Sequence, residues 1–163
     1  MSHQPVIDGF EFASAGAMQQ GAMPLSGFLR LRDLLASDAG EVAYEVKGLR
    51  DARGRPSLRV SVRGTLPLRC QRCLETMRFD VDEEELLVLA ATQAEIDADP
   101  ANAQAPDRVL AGKEMALRDL IEDELILAVP YAPRHEGCSG AAAGDKERAS
   151  PFAGLRSLLR DKS

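Results

Sequence analysis

The longest regular pattern in the chain runs through "SLRVSVRGTLPLRC", residues 57–70, where apolar and polar positions alternate one by one. Leu58, Val60, Val62, Leu66, Leu68 and Cys70 fall on one side, with Gly64 as the only gap. Arg59, Ser61, Arg63, Thr65, Pro67 and Arg69 fall on the other. Successive strand side chains point to opposite faces, so the stretch predicts a strand with an apolar inner face and an arginine-bearing outer one. "EVAYEVKG" before it alternates in the same way through Val42, Tyr44 and Val46, and "DARGRP" between them is turn-forming. Beyond Cys73 the alternation returns in Met77, Phe79 and Val81 and runs into "EEELLVLA". The expected product is an antiparallel meander of three strands. Pro67 has no N–H for a ladder, which places it at an edge or a bulge.

Elsewhere the period is helical. "EMALRDLIEDELILAVP" carries Met115, Ile121, Leu125 and Ala128 on one side, widened by Leu117, Leu120 and Leu127, and Pro130 stops it. "SGFLRLRDLLAS" predicts a helix over 26–36 capped by Ser26, with Leu29, Leu31, Leu34 and Leu35 as its stripe. "SPFAGLRSLLRDK" predicts a terminal helix over 151–160, with Pro151 in its first turn. "VIDGFEF" near the start suggests a short edge strand, and "DRVLAGK" one more strand. Residues 1–24 otherwise read as partly flexible, and 91–107 and 134–149 as mobile loops. A single α+β domain over 1–163 follows: an antiparallel sheet of four or five strands covered by two or three helices, with those at 26–36 and 114–128 on its apolar face.

Composition narrows the class. No apolar run approaches a membrane span, and the start "MSHQPVIDGFEFASAGAMQQ" lacks the layout of a signal peptide. Three cysteines, an odd number, argue against a secreted disulfide framework. A cytoplasmic location is expected. The net charge of −6 conceals an imbalance: residues 47–78 hold nine basic and two acidic residues, +7, which leaves −13 for the remainder. Such asymmetry points to a polyanionic partner. For an enzyme the inventory is poor, because His135 is the only histidine outside the N-terminal tail and no nucleophile elbow or phosphate-binding glycine loop is present. No catalytic residues are expected.

Three blocks, "CQRCLE" (70–75), "DELILAVPYAPRHEGC" (123–138) and "PFAGLRSLL" (151–159), stand in this order behind a basic β segment. The arrangement, over roughly residues 40–160, resembles the YceD family, the bacterial large ribosomal RNA subunit accumulation proteins. The resemblance implies a role in the synthesis, processing or stability of large-subunit ribosomal RNA, without a known catalytic activity.

Cys70 and Cys73 admit three readings. Redox chemistry wants a helix N-terminus behind the Cys-X-X-Cys turn, and here a strand pattern follows. A structural zinc site needs four ligands, and the only further candidates at workable spacing are His135 and Cys138, which would complete a Cys₃His set. The plainest reading takes Cys70 as a small buried hydrophobe continuing the Leu58–Leu68 face. That reading leads, zinc stands second as the one cofactor in view, and redox chemistry comes last.

The arginines yield the expected function. Arg59, Arg63 and Arg69 on one strand face, with Arg72 and Arg78 at and beyond the turn, form a candidate surface for ribosomal RNA or its precursor. The competing expectation is cross-strand pairing with Glu45, Asp80 and Asp82. With Tyr44 and Phe79 on apolar faces, backbone and shape contacts are expected in place of base reading. An alternative is a protein-binding adaptor, docking basic ribosomal proteins on the acidic loop 91–107 and on Asp119, Glu122, Asp123 and Glu124. No membrane and no small-molecule substrate are expected.

Overall fold

A computed structural model describes residues 5–98 and 105–138. Its centre is the expected meander: β3 (Glu41–Arg50), β4 (Pro56–Arg69) and β5 (Thr76–Ala90). β4 pairs antiparallel with both neighbours, Val60 facing Val46 on one side and Glu85 on the other. Leu58, Val60, Val62, Leu66, Leu68 and Cys70 are buried, and Arg59, Arg63 and Arg69 are exposed, as the alternation requires.

Two further strands extend the sheet to the order β2-β3-β4-β5-β6. β2 (Met18–Pro24) pairs antiparallel with β3, and β6 (Arg108–Leu110) pairs parallel with β5. The sheet is therefore mixed, and the expectation of a purely antiparallel one is corrected. The sequence between β5 and β6 includes α2 (Gln93–Asp97), and this crossover returns the chain in the same direction as β5. β1 (Val6–Ile7) and β7 (Met115–Ala116) form a separate two-stranded ladder.

The expected strand over "VIDGFEF" is confined to β1. Gly9–Ala15 form α1, because Asp8 accepts from the Glu11 N–H at 3.0 Å and Gly16 closes the helix at φ 60°. α1 lies on β3 at Gly48, where any Cβ would run into the Phe12 carbonyl. The Gly48 N–H donates to the Ala17 carbonyl at 2.8 Å, which ties the end of α1 to the sheet.

The expected helix over 26–36 is also corrected. Two short 3₁₀ turns replace it, Leu25–Gly27 and Leu31–Leu34. The reason lies across the core in α3 (Leu117–Ala128). Buried Glu122 of α3 accepts from the backbone N–H groups of Arg30 at 2.6 Å and Leu31 at 3.0 Å, and from Arg30 Nε at 3.1 Å. Donors that a helix would bond internally are spent on a distant carboxylate, and Leu25, Phe28 and Leu31 are buried by the resulting bend. After it, Leu35 bridges to Leu68 and the Ala36 N–H donates to the Pro67 carbonyl at 2.7 Å. β3 has ended its pairing with β4 by Gly64, so Pro67 sits at a local edge, where a missing donor costs nothing.

α3 covers the sheet with Leu117, Leu120, Ile121 and Leu125. Leu127, expected on the apolar side, is exposed instead. The predicted terminal helix 151–160 lies outside the described residues.

Candidate metal centre

The connection between β4 and β5 is a tight loop built by its own backbone. The Cys70 N–H donates to the Glu75 carbonyl at 2.9 Å, and the Leu74 N–H to the Cys70 carbonyl at 3.0 Å. Closing it puts Leu74 at φ 66°, a left-handed conformation that a branched side chain adopts at a cost of about 1–2 kcal/mol. Strand β5 follows directly, with no helix behind the cysteines, so the geometry that redox thiols rely on is missing.

The chain that follows α3 folds back onto this loop. Pro130 and Pro133 restrict its course, and the buried Pro133 offers its carbonyl to the Gln71 N–H at 2.8 Å. That contact delivers His135 and Cys138 to Cys70 and Cys73. The four ligand atoms lie within 4.8 Å of one another. Cys70 Sγ is 3.8 Å from Cys138 Sγ, and Cys73 Sγ is 3.4 Å from His135 Nδ1. Tetrahedral zinc with Zn–S near 2.3 Å and Zn–N near 2.0 Å sets its ligand atoms about 3.8 Å (S···S) and about 3.6 Å (S···N) apart. Both observed spacings match that geometry. The donor set is Cys₃His, a combination used by closed structural sites.

The surroundings suit a cation. The Arg72 N–H donates to the Cys70 sulfur at 3.4 Å, and the backbone N–H groups of Cys73, first, then Arg72 and His135 hold its thiol well down, to about 5, against the opposing effect of burial. The Glu75 N–H lowers Cys73 in the same manner, but burial and the neighbouring sulfurs of Cys70 and Cys138 outweigh it and push that thiol up. Crowded sulfurs of this kind relax when a divalent ion takes the charge. His135 is raised, first by the Cys138 sulfur and then by the Thr76 carbonyl, 3.3 Å from Nε2. With Nε2–H given to that carbonyl, Nδ1 keeps its lone pair facing the sulfurs, the orientation that metal-bound histidines take from an outer partner. The cluster can hold a metal ion, and the burial of Cys70 fits both readings of it, as a small hydrophobe continuing the β4 face and as one of four candidate ligands.

The five arginines proposed for RNA separate into two groups. Arg63 pairs with Asp82 at 2.7 Å and Arg59 with Glu84 at 3.6 Å, while Arg78 lies 4.0 Å from Asp80. Of the expected cross-strand partners Asp82 takes that role and Glu84 stands in place of Glu45, while Asp80 lies on Arg78's own strand and accepts across the ladder from the Thr65 hydroxyl at 2.6 Å. Arg69, just before the β4–β5 loop, and Arg72, within it between the two cysteines, are exposed and form no ion pair among the described residues. Acidic Glu75 and Glu136 are exposed nearby, so the loop is cationic only in part.

The adaptor surface on α3 is also divided. Asp119 and Asp123 are exposed, but Glu122 is engaged by Arg30 and Leu31, and Glu124 is buried. Glu124 lines two adjoining clefts of about 560 and 460 Å³, with Glu83, Glu85, Asp107 and Asp123 around them. Burial, then Glu85, Asp107, Asp123 and Glu83, raise its carboxyl to about 7. No helix among the described residues is long and apolar enough to cross a membrane.

Comparison with known proteins supplies one match. A family model described as "Large ribosomal RNA subunit accumulation protein YceD" covers residues 58–159, more than half of the chain and all four candidate ligands. No curated protein and no solved structure matches.

Proposed function

The chain belongs to the YceD family of large ribosomal RNA subunit accumulation proteins, and on that premise we propose that it supports large-subunit ribosomal RNA by binding RNA, without catalysing a reaction. Zinc held by Cys70, Cys73, His135 and Cys138 would be structural, since four protein ligands leave no open position for substrate. It would clamp the chain after α3 to the β4–β5 loop and so hold Arg69 and Arg72 in place. The observation that carries the reading is that these two guanidiniums stand exposed, with no carboxylate partner among the described residues, at the end of a basic strand. Arg59, Arg63 and Arg78 join the surface by exchanging exposed carboxylates for phosphates, an exchange that costs little because such surface pairs contribute about 0–1 kcal/mol.

Retention of large-subunit ribosomal RNA across a salt series tests this. Arg69→Glu with Arg72→Glu is expected to abolish retention at low salt. The milder Arg69→Gln with Arg72→Gln should flatten the salt slope by about 1.4–1.8, the share of two phosphate contacts. Arg59→Glu with Arg63→Glu should have the smaller effect. Retention that ignores Arg69 and Arg72 overturns the reading.

The carboxylate-lined clefts favour a second reading, a docking site for a basic ribosomal protein. Nuclease treatment separates the two: an RNA-mediated association dissolves, and a direct protein contact survives.

A further inference from the structure

Beside the metal loop, on the side of α3, lies a small cleft of about 210 Å³, lined among others by Asp33, Leu35, Arg69, Gln71, Pro130 and Tyr131. Its outstanding feature is Tyr131, whose side chain is entirely open to solvent, with a relative exposure of 105%. A tyrosine on a folded surface usually lays its ring against something, because the ring is the larger part of its surface and is apolar. Here it stands between Pro130 and Pro133, and the Pro133 carbonyl is fastened to the Gln71 N–H, so backbone torsions on both sides are already restricted. The backbone that presents the ring therefore loses little further freedom when a partner covers it, and only the two side-chain torsions of Tyr131 remain to be fixed.

The groups around the ring differ in kind and complement one another. Arg69 supplies a guanidinium with no ion pair among the described residues. Gln71 makes a single side-chain hydrogen bond, a long one of 3.5 Å from Nε2 to the Arg69 carbonyl, which leaves its carbonyl oxygen as an acceptor. Asp33, exposed, also lines the cleft, where it repels phosphate but accepts from ring N–H and amino groups. The volume is below the roughly 300 Å³ at which pockets for whole drug-sized ligands begin, and suits one planar ring.

We propose that this cleft receives a single unpaired base of an RNA strand, stacked on Tyr131, with the sugar-phosphate backbone passing over Arg69 and Arg72 and the base edge turned toward Gln71 and Asp33. The inference rests on the RNA-binding reading above and narrows it to single-stranded RNA. It also replaces the expectation that this chain lacks an aromatic platform: Tyr44 and Phe79 do face inward, but Tyr131 does not.

The full-length protein, loaded with one equivalent of zinc, can report on this directly. It contains two tyrosines and no tryptophan, and Tyr44 is buried, so emission that responds to a surface ligand comes from Tyr131. The probes are a twelve-nucleotide single-stranded RNA of mixed sequence, the same length of abasic ribose-phosphate polymer, and the RNA as a duplex. The single strand should quench the emission and bind about tenfold more tightly than the abasic polymer, within the range found for one base–aromatic stack. Tyr131→Ala should remove that tenfold advantage while leaving binding of the abasic polymer unchanged, and Tyr131→Phe should keep it. Equal affinity for single strand and abasic polymer, preference for the duplex, or an undiminished advantage in Tyr131→Ala would each overturn the base-binding cleft while leaving RNA binding standing. Failure of the unaltered protein to bind any of the three probes would overturn the RNA reading and the cleft with it.

Discussion

The β4–β5 hairpin has two ends that handle buried polar groups in opposite ways. At the loop end each such group has a partner: the Cys70 sulfur takes the Arg72 N–H and lies against the Cys138 sulfur, the His135 ring spans Thr76 and Cys73, and Gln71 is tied to Pro133. At the other end Glu124 is buried beside Glu83, Glu85 and Asp107 and forms no ion pair among the described residues, although Arg30 and Arg108 line the same cleft. The first arrangement is a set of donors converging on a point, as a metal ion requires. The second is a concentration of like charge, held in the fold by the apolar face of α3 and against its own electrostatics. Convergence of ligands and mere proximity of charges are different things, and only the first defines a centre.

The comparison breaks most visibly if the loop end holds no metal. Protein purified under metal control should carry close to one equivalent of zinc, and chelation should lower its unfolding free energy by about 4 kcal/mol when free zinc had exceeded its dissociation constant a thousandfold. Cys70→Ser or Cys138→Ser should abolish stoichiometric binding. A stability identical with and without chelator would reduce the cluster to an accident of packing.

A neighbour on α3 sharpens the contrast, because Glu122 is as buried as Glu124 yet fully engaged. Glu122→Ala strands the Leu31 N–H and frees Arg30, and should cost about 3 kcal/mol in urea unfolding. A cost under 1 kcal/mol would show that the 25–34 segment holds its bend without this carboxylate.

Glu124 should behave in the opposite sense. Its carboxyl titrates near 7 in the folded chain against 4.5 when unperturbed, so between those values the folded state binds more protons than the unfolded one. Stability must therefore fall as pH rises through that window, with the penalty complete above about 7 and absent below about 4.5. Glu124→Gln is expected to gain about 2 kcal/mol at pH 8 and nothing at pH 4.5, on the scale set by a shift of this size. A gain that is the same at both pH values would place the effect in packing.

The smallest expected effect is at the loop. Leu74→Gly relieves the left-handed backbone and should stabilise the zinc-loaded protein by about 1 kcal/mol. A loss would mean that the exposed Leu74 side chain packs in a way the strain conceals.

Much of the fold is legible along the chain where the governing partners are local. The alternation through Leu58 to Leu68 and the 3.6-residue spacing of α3 needed no knowledge of what they pack against. The start of α1 was legible as well: Asp8 and Glu11 stand at capping-box spacing and Gly16 closes the helix, a signal obscured by the strand-like "FEF". β2 offered none, since "MQQGAMP" forms a strand only because β3 presents an edge to it. The candidate centre was half legible. Cys70-X-X-Cys73 announces itself, and His135 and Cys138 were identifiable by elimination, but Tyr131 was indistinguishable from any residue of a loop.

By itself the sequence determined the three central strands, the face each side chain takes on them, the helix α3 and the inventory of four side chains able to bind a metal. Periodicity dictates these, and periodicity is a property of neighbours along the chain. The tertiary structure alone decided the parallel pairing of β6, the unwinding of 25–34 by Glu122, the meeting of the two pairs of ligands and the emergence of Tyr131. Each of these depends on groups dozens of residues apart finding one another, and the free energy of such contacts is not written in the local pattern of either partner.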